Sequence, residues 1–170
     1  MSAIPAGSQF DWSQPEAFSR RFELSADGRV VGRVEFSRAL GSLAIASFAE
    51  TRWSFKRTGF FSPRITVRSE GAEADIAIFS PVWSGGGMLQ LSGGRRFQLR
   101  STSFWGSDWV FEDEAGQVVV SLHGPTGFLK SGGRAVVSQS LPESPLLVLL
   151  LWYIRVLMAE DAAATAAIVT

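Results

Sequence analysis

From about residue 18 onward, apolar and polar positions alternate in short runs, and each run ends at a glycine-containing turn. Phe22 and Leu24 alternate with Glu23 and Ser25; Asp27-Gly28 follows, and then Val30, Val34 and Phe36. Period-two alternation is the pattern of a half-buried strand, and Asp-Gly suits the positive φ of a two-residue hairpin turn. The device recurs over residues 65–79 with Glu70-Gly71, 88–100 with Gly93-Gly94, 109–122 with Ala115-Gly116 and 128–138 with Gly132-Gly133. Residues 43–49 and 51–57 add two more strand-like runs, which predicts about twelve strands in a β-meander. The turns are unevenly spaced, so this is a repeated hairpin and not a solenoid repeat. Residues 1–17 are polar, carry Pro5 and Pro15, and read as a lead-in segment before a single domain over 18–160.

One stretch breaks the alternation. In SPLLVLLLWYIRVLMAED (144–161) nine apolar residues run unbroken from Leu146 to Ile154, and Arg155 interrupts them. A membrane span needs roughly 20 apolar residues. Extending this run through Ala162 to Val169 would put Arg155, Glu160 and Asp161 near mid-membrane, at a cost of several kcal/mol. The run is too long and too leucine-rich for a strand, so it predicts a helix over about 144–160, with Ser144 as N-cap and Pro145 as first residue. This helix has no polar face to offer water, so it must be surrounded. Fifteen helical residues span roughly 22 Å, about the length of a seven-residue strand. A closed barrel of about twelve antiparallel strands wrapped around the helix satisfies both patterns and leaves no open sheet edge. The alternative, in which the helix inserts in a membrane, predicts a protein that needs detergent. Residues 161–170 read as a tail.

Composition narrows the function classes. The chain of 170 residues has 46% hydrophobic side chains, enough for one globular core. Sixteen basic and sixteen acidic residues balance, which makes nucleic acid a poor partner because phosphates call for a basic excess. There is no Cys and the only His is His123, so thiolate metal sites, disulfides, cysteine nucleophiles and His-rich metal sites are excluded. The first residues, MSAIPAGSQFDW, show neither the charged nor the apolar region of a secretory signal, and the expected address is the cytoplasm, with peripheral membrane attachment as an extension of it.

The residues that suggest a family are WSFKRTGFFSPRITVRSEG (53–71), LSGGRRFQLRSTSFWGSDWVFEDEAGQVV (91–119) and SPLLVLLLWYIRVLM (144–158). Their order is a Gly-rich hairpin, an aromatic strand beginning at Phe104-Trp105, an acidic Gly hairpin and a final apolar helix. From about residue 18 to 160 the chain resembles the Tubby C-terminal-like superfamily, which includes the phospholipid scramblase and LURP-one-related proteins. That resemblance implies a twelve-stranded barrel around a hydrophobic C-terminal helix. It also implies phosphoinositide binding through basic side chains on the barrel, as in Tubby proteins. The scramblase features of palmitoylated cysteines and calcium do not carry over, because the chain has no Cys and no EF-hand-type loop.

Alternation about Trp53, Phe55, Ile65 and Val67 sends Arg52, Lys56, Arg64 and Arg68 outward, where four cations on one face suit a lipid phosphate. The linking loop holds Phe60 and Phe61, candidates for membrane contact that can equally plug a barrel end. The ordinary reading of Arg68 is a cross-strand ion pair with Glu73. Arg95, Arg96 and Arg100 read as a solvated strand face, Phe104, Trp105, Trp109 and Phe111 as core packing on the helix with a ligand-pocket lining as the alternative, and Arg155 as a structural charge that snorkels to a barrel mouth. Glu112-Asp113-Glu114 is an acidic turn with at most weak cation affinity. His123 stands at a strand end with no partner evident in the sequence, and neither a nucleophile elbow nor a P-loop occurs. The expected function is a non-catalytic binding module with no catalytic residues, cofactor or metal, peripheral on anionic lipid headgroups. The alternative is a soluble protein-interaction or regulatory domain without lipid affinity.

Overall fold

Alternating runs become a wall when each strand turns one row of side chains inward and the other outward. The computed structural model describes residues 3–83, 85–124 and 132–169. Twelve strands follow one another: β1 (Gln9–Ser13), β2 (Arg21–Ala26), β3 (Arg29–Phe36), β4 (Ala44–Phe48), β5 (Thr51–Thr58), β6 (Arg64–Ser69), β7 (Asp75–Pro81), β8 (Gly87–Leu91), β9 (Arg96–Ser101), β10 (Asp108–Glu112), β11 (Val118–His123) and β12 (Gly133–Val137). One helix, α1 (Ser144–Val169), closes the order. Every strand pairs antiparallel with its sequence neighbours, and β1 pairs with β12 to close the barrel. The expected fold class, a mainly β closed barrel with a hydrophobic C-terminal helix, is the observed one.

Three boundaries differ from the expectation. The lead-in is part of the barrel: Phe10 and Trp12 of β1 are buried, and residues 9–12 form the seam with β12. Its Pro5 and Pro15 flank a five-residue alternation instead of interrupting it. The run at 128–130, counted from sequence as a strand, lies outside the described residues, and Gly133 opens β12 instead of closing a turn. The expected tail is helical as well, since α1 continues to Val169.

The lumen is filled. Phe22, Leu24, Phe55, Phe79, Phe97 and Phe111 are almost fully buried, as are Leu147, Leu149 and Leu150 of the helix. The helix runs closest to β3–β4 and β10–β12. Small residues permit this approach: a Cβ on Gly133 would lie 2.9 Å from the Trp152 ring, and one on Gly32 would lie 3.4 Å from Leu149. The aromatic side chains of the opposite wall fill the remaining lumen. The helix does not begin as expected, because the Glu143 carbonyl accepts its first bond, from Leu147 N. The Ser144 hydroxyl points backward instead, donating to Gln139 O at 2.8 Å and accepting from Leu141 N at 3.0 Å.

An up-and-down barrel has two different ends. The β2–β3, β4–β5, β6–β7, β8–β9 and β10–β11 turns lie at one end, here the turn end. The β1–β2, β3–β4, β5–β6, β7–β8 and β9–β10 connections lie at the other, the loop end. The helix enters at the turn end, where Glu143 meets Arg95 at 2.8 Å. It leaves at the loop end, where Glu160 pairs with Arg20 at 2.7 Å and Asp161 with Arg57 at 2.6 Å. Tyr153 OH donates to the Ser42 carbonyl of the β3–β4 loop at 2.6 Å. Burial raises the Tyr153 pKa, so the phenol stays protonated as a donor.

Candidate functional site: a basic recess beside an aromatic hairpin

β5 and β6 are adjacent, with Ser54 opposite Arg68, Lys56 opposite Thr66 and Thr58 opposite Arg64. Inward Trp53, Phe55, Ile65 and Val67 are buried, so the alternating partners face out as the pattern predicts. Register then decides which cations are free. Arg52 sits at the turn end of β5 and pairs with Glu70 at 2.8 Å, away from the others. Arg68 pairs with Asp75 at 2.6 Å, not with Glu73. The reason is an irregularity between Val67 and Arg68 that sets Arg68 directly opposite Asp75. Lys56 and Arg64 form no ion pair or side-chain hydrogen bond with any other described residue. The stripe of four therefore resolves into two free cations, one shared cation and one committed elsewhere.

The free pair faces a recess of about 560 Å³ lined by Lys56, Arg64, Arg68 and Asp75 with the hydroxyls of Ser54, Thr58 and Thr66. Three cations, one carboxylate and several hydroxyls line it, and ammonium, guanidinium and hydroxyl groups can all donate to phosphate oxygens. A neighbouring depression of about 400 Å³ joins Lys56 to Arg38 in the β3–β4 loop, and Arg38 too is without an ion pair among the described residues.

The hairpin above the recess is built to project. Gly59 has a φ of 89°, and a Cβ there would come within 2.6 Å of the Ser62 carbonyl, so glycine is required at this bend. Phe60 and Phe61 stand 91% and 94% exposed, edge to face at 5.0 Å. They do not plug the barrel; their contact is with each other.

The remaining candidates resolve differently. Arg95, Arg96 and Arg100 face Glu143, Glu114 and Glu112 and are neutralised there. The acidic turn is spent on protein donors: Asp113 accepts from Ala115 N and Gln117 N and from Gln139 Nε2. These hydrogen bonds, led by those at Gln117 and Gln139, lower the Asp113 pKa. Trp109 and Phe111 are core, but Phe104 and Trp105 are 92% and 78% exposed in the β9–β10 loop, because the strand begins only at Asp108. The Arg155 guanidinium lies 5.4 Å over the Trp109 ring, and burial lowers its pKa. His123 does have a partner that sequence distance concealed. Its Nδ1 lies 2.9 Å from Asp108 Oδ1 across the β10–β11 pairing. Among the described residues its ring has no other hydrogen bond, so no nucleophile completes a triad. No cluster of three metal-ligating side chains occurs among the described residues.

No family model, curated protein or solved structure matches the chain. The site stands on its geometry alone.

Proposed function

We propose that the protein is a non-catalytic binding module that takes up the phosphate of an anionic membrane-lipid headgroup at the β5–β6 recess, peripheral on a cytoplasmic membrane face. One observation carries this reading. Lys56 and Arg64, unpaired among the described residues, share one recess directly beside the exposed Phe60–Phe61 hairpin. A headgroup needs the first, and the adjoining interfacial zone suits the second. A barrel around a C-terminal helix also supports membership of the Tubby-like group, which is part of the same proposal. The lumen is occupied by the helix, so ligands meet the outer wall instead.

The test is vesicle flotation with phosphatidylcholine alone and with added phosphatidylserine or phosphoinositide, at low and physiological salt. Wild-type protein floats with anionic vesicles, less so as salt rises, and the Lys56→Glu/Arg64→Glu variant stays at the bottom. Equal flotation with neutral vesicles, or an unaltered variant, overturns the headgroup reading. Absence of flotation favours the rival, a protein-interaction domain using the same face.

A further inference from the structure

The two ends of the barrel differ in chemistry, and the difference runs around the whole circumference. At the loop end, β1–β2 exposes Phe18, β3–β4 Leu40, β5–β6 Phe60, β7–β8 Trp83, and β9–β10 Phe104 with Trp105; each is at least 78% exposed. The turn-end connections are Asp27-Gly28, Ala49-Glu50, 70–74, 92–95 and 113–117, and none of them exposes a large apolar side chain. Large exposed apolar side chains on a monomer's surface mark an interaction site when they cluster. Here they come from five separate connections around one mouth, which suits a flat partner better than a groove-bound peptide.

Charge points to the nature of that partner. Among the described residues of these loops only Glu16 and Arg38 are charged and unpaired, and on the wall just behind them the unpaired cations Lys56 and Arg64 outnumber the unpaired acid Glu35. At the opposite end the unpaired acids Asp27, Glu50 and Glu73 outnumber the one unpaired cation, Arg29. An anionic bilayer attracts the first end and repels the second. Phe and Trp are the side chains that settle at the headgroup–acyl boundary. The wall suits that place less well, because the outer rows of β5, β6 and β9 are polar and largely charged and their apolar rows face the lumen, the reverse of a membrane-spanning barrel.

The helix projects through the same mouth. Burial ends at Leu157, and the charges that follow, Glu160 and Asp161, are clamped by Arg20 and Arg57 at the rim. From Ala162 to Val169 there is no charge, the Thr165 hydroxyl is satisfied by the Asp161 carbonyl at 3.0 Å, and Ile168 and Val169 are over 80% exposed. Eight helical residues extend roughly 12 Å, within one leaflet of a hydrocarbon core about 30 Å thick. No helix among the described residues is long and apolar enough to cross a membrane.

We propose that the loop end is a membrane-docking rim: its aromatic loops and the helix end Ala162–Val169 enter one leaflet of an anionic bilayer, with the barrel upright above it. This takes its lipid chemistry from the headgroup reading and shares Phe60, Lys56 and Arg64 with it, but adds four further loops and the helix end, which its test reads. The chain has no Cys, so single cysteines carrying an environment-sensitive dye report depth directly. Phe104→Cys and Ile168→Cys probe the rim, and Gly93→Cys, where a Cβ meets nothing within 4 Å, probes the turn end. On phosphatidylcholine–phosphatidylserine vesicles the two rim dyes shift to the blue and are quenched by lipid-borne quenchers, while the Gly93→Cys dye does not change. Phe104→Asp/Trp105→Asp, with wild-type circular dichroism, weakens vesicle partitioning at least about 100-fold, the effect of withdrawing two aromatic side chains from an apolar phase.

Vesicle binding with both rim dyes still in water overturns the rim and leaves the headgroup recess standing. Blue-shifted rim dyes with undiminished binding of Lys56→Glu/Arg64→Glu support the rim and overturn the recess. Absence of vesicle binding overturns both. Rim dyes that shift without vesicles, as the protein self-associates, make the rim a contact between copies and overturn its lipid assignment.

Discussion

Arg68 is a cation held in reserve by one acid. Asp75 is the only carboxylate lining the recess, and it binds the Arg68 guanidinium at 2.6 Å. Asp75→Asn therefore removes a repulsive charge and frees Arg68 at once. With about 1 kcal/mol per charge near an anionic surface, the variant binds phosphatidylserine vesicles about fivefold more tightly in flotation. An unchanged or weaker affinity means that phosphate does not reach this recess. The outward rows were legible at this scale, because alternation about Trp53, Phe55, Ile65 and Val67 leaves Arg52, Lys56, Arg64 and Arg68 no other side. Their partners were not legible. A single irregularity beyond Val67 moved Arg68 from Glu73 to Asp75, and no local pattern announces it. His123 and Asp108 meet for a similar reason, across a pairing whose register only the assembled sheet defines.

Among the elements, the β10–β11 turn shows how a charged cluster becomes structural. Asp113 is held below its ordinary pKa by the hydrogen bonds it accepts, with Gln117 and Gln139 foremost. A lowered carboxyl pKa stabilises the fold fully above the ordinary aspartate value of about 3.9. That stabilisation is lost as pH falls through the lowered value. Asp113→Asn accordingly melts below the wild type at pH 7, and the gap closes as pH falls below the ordinary aspartate range; a gap that persists in acid assigns the effect to packing. The strands and the helix type were readable from period and run length, yet element boundaries were not. β1 is a five-residue alternation between prolines, too short to stand out until β12 pairs with it. The helix reads as ending at Glu160-Asp161, but those charges are neutralised by Arg20 and Arg57 from distant strands, and the helix continues.

The molecule as a whole is a single core in which wall and helix bury each other. Leu150 is fully buried at the centre of the lumen, so Leu150→Ala costs about 2–5 kcal/mol. Because neither part has another place for its apolar surface, the sheet and helix signals in circular dichroism shift together with near-ultraviolet tryptophan signals in one transition. Separate transitions would show that the barrel stands without its helix. What the sequence determined by itself was the inventory: alternating strands with an apolar row each, turns where glycine permits positive φ, and a helix with no face for water, which together require enclosure. Those are local or compositional constraints, set by backbone sterics and by the cost of exposing apolar surface. Only the tertiary structure decided which cations are left free, since ion pairs depend on register between strands. Only closure decided that every second connection shares one mouth, and so gathered Phe18, Leu40, Phe60, Trp83, Phe104 and Trp105, scattered along the chain, around the point where the helix emerges.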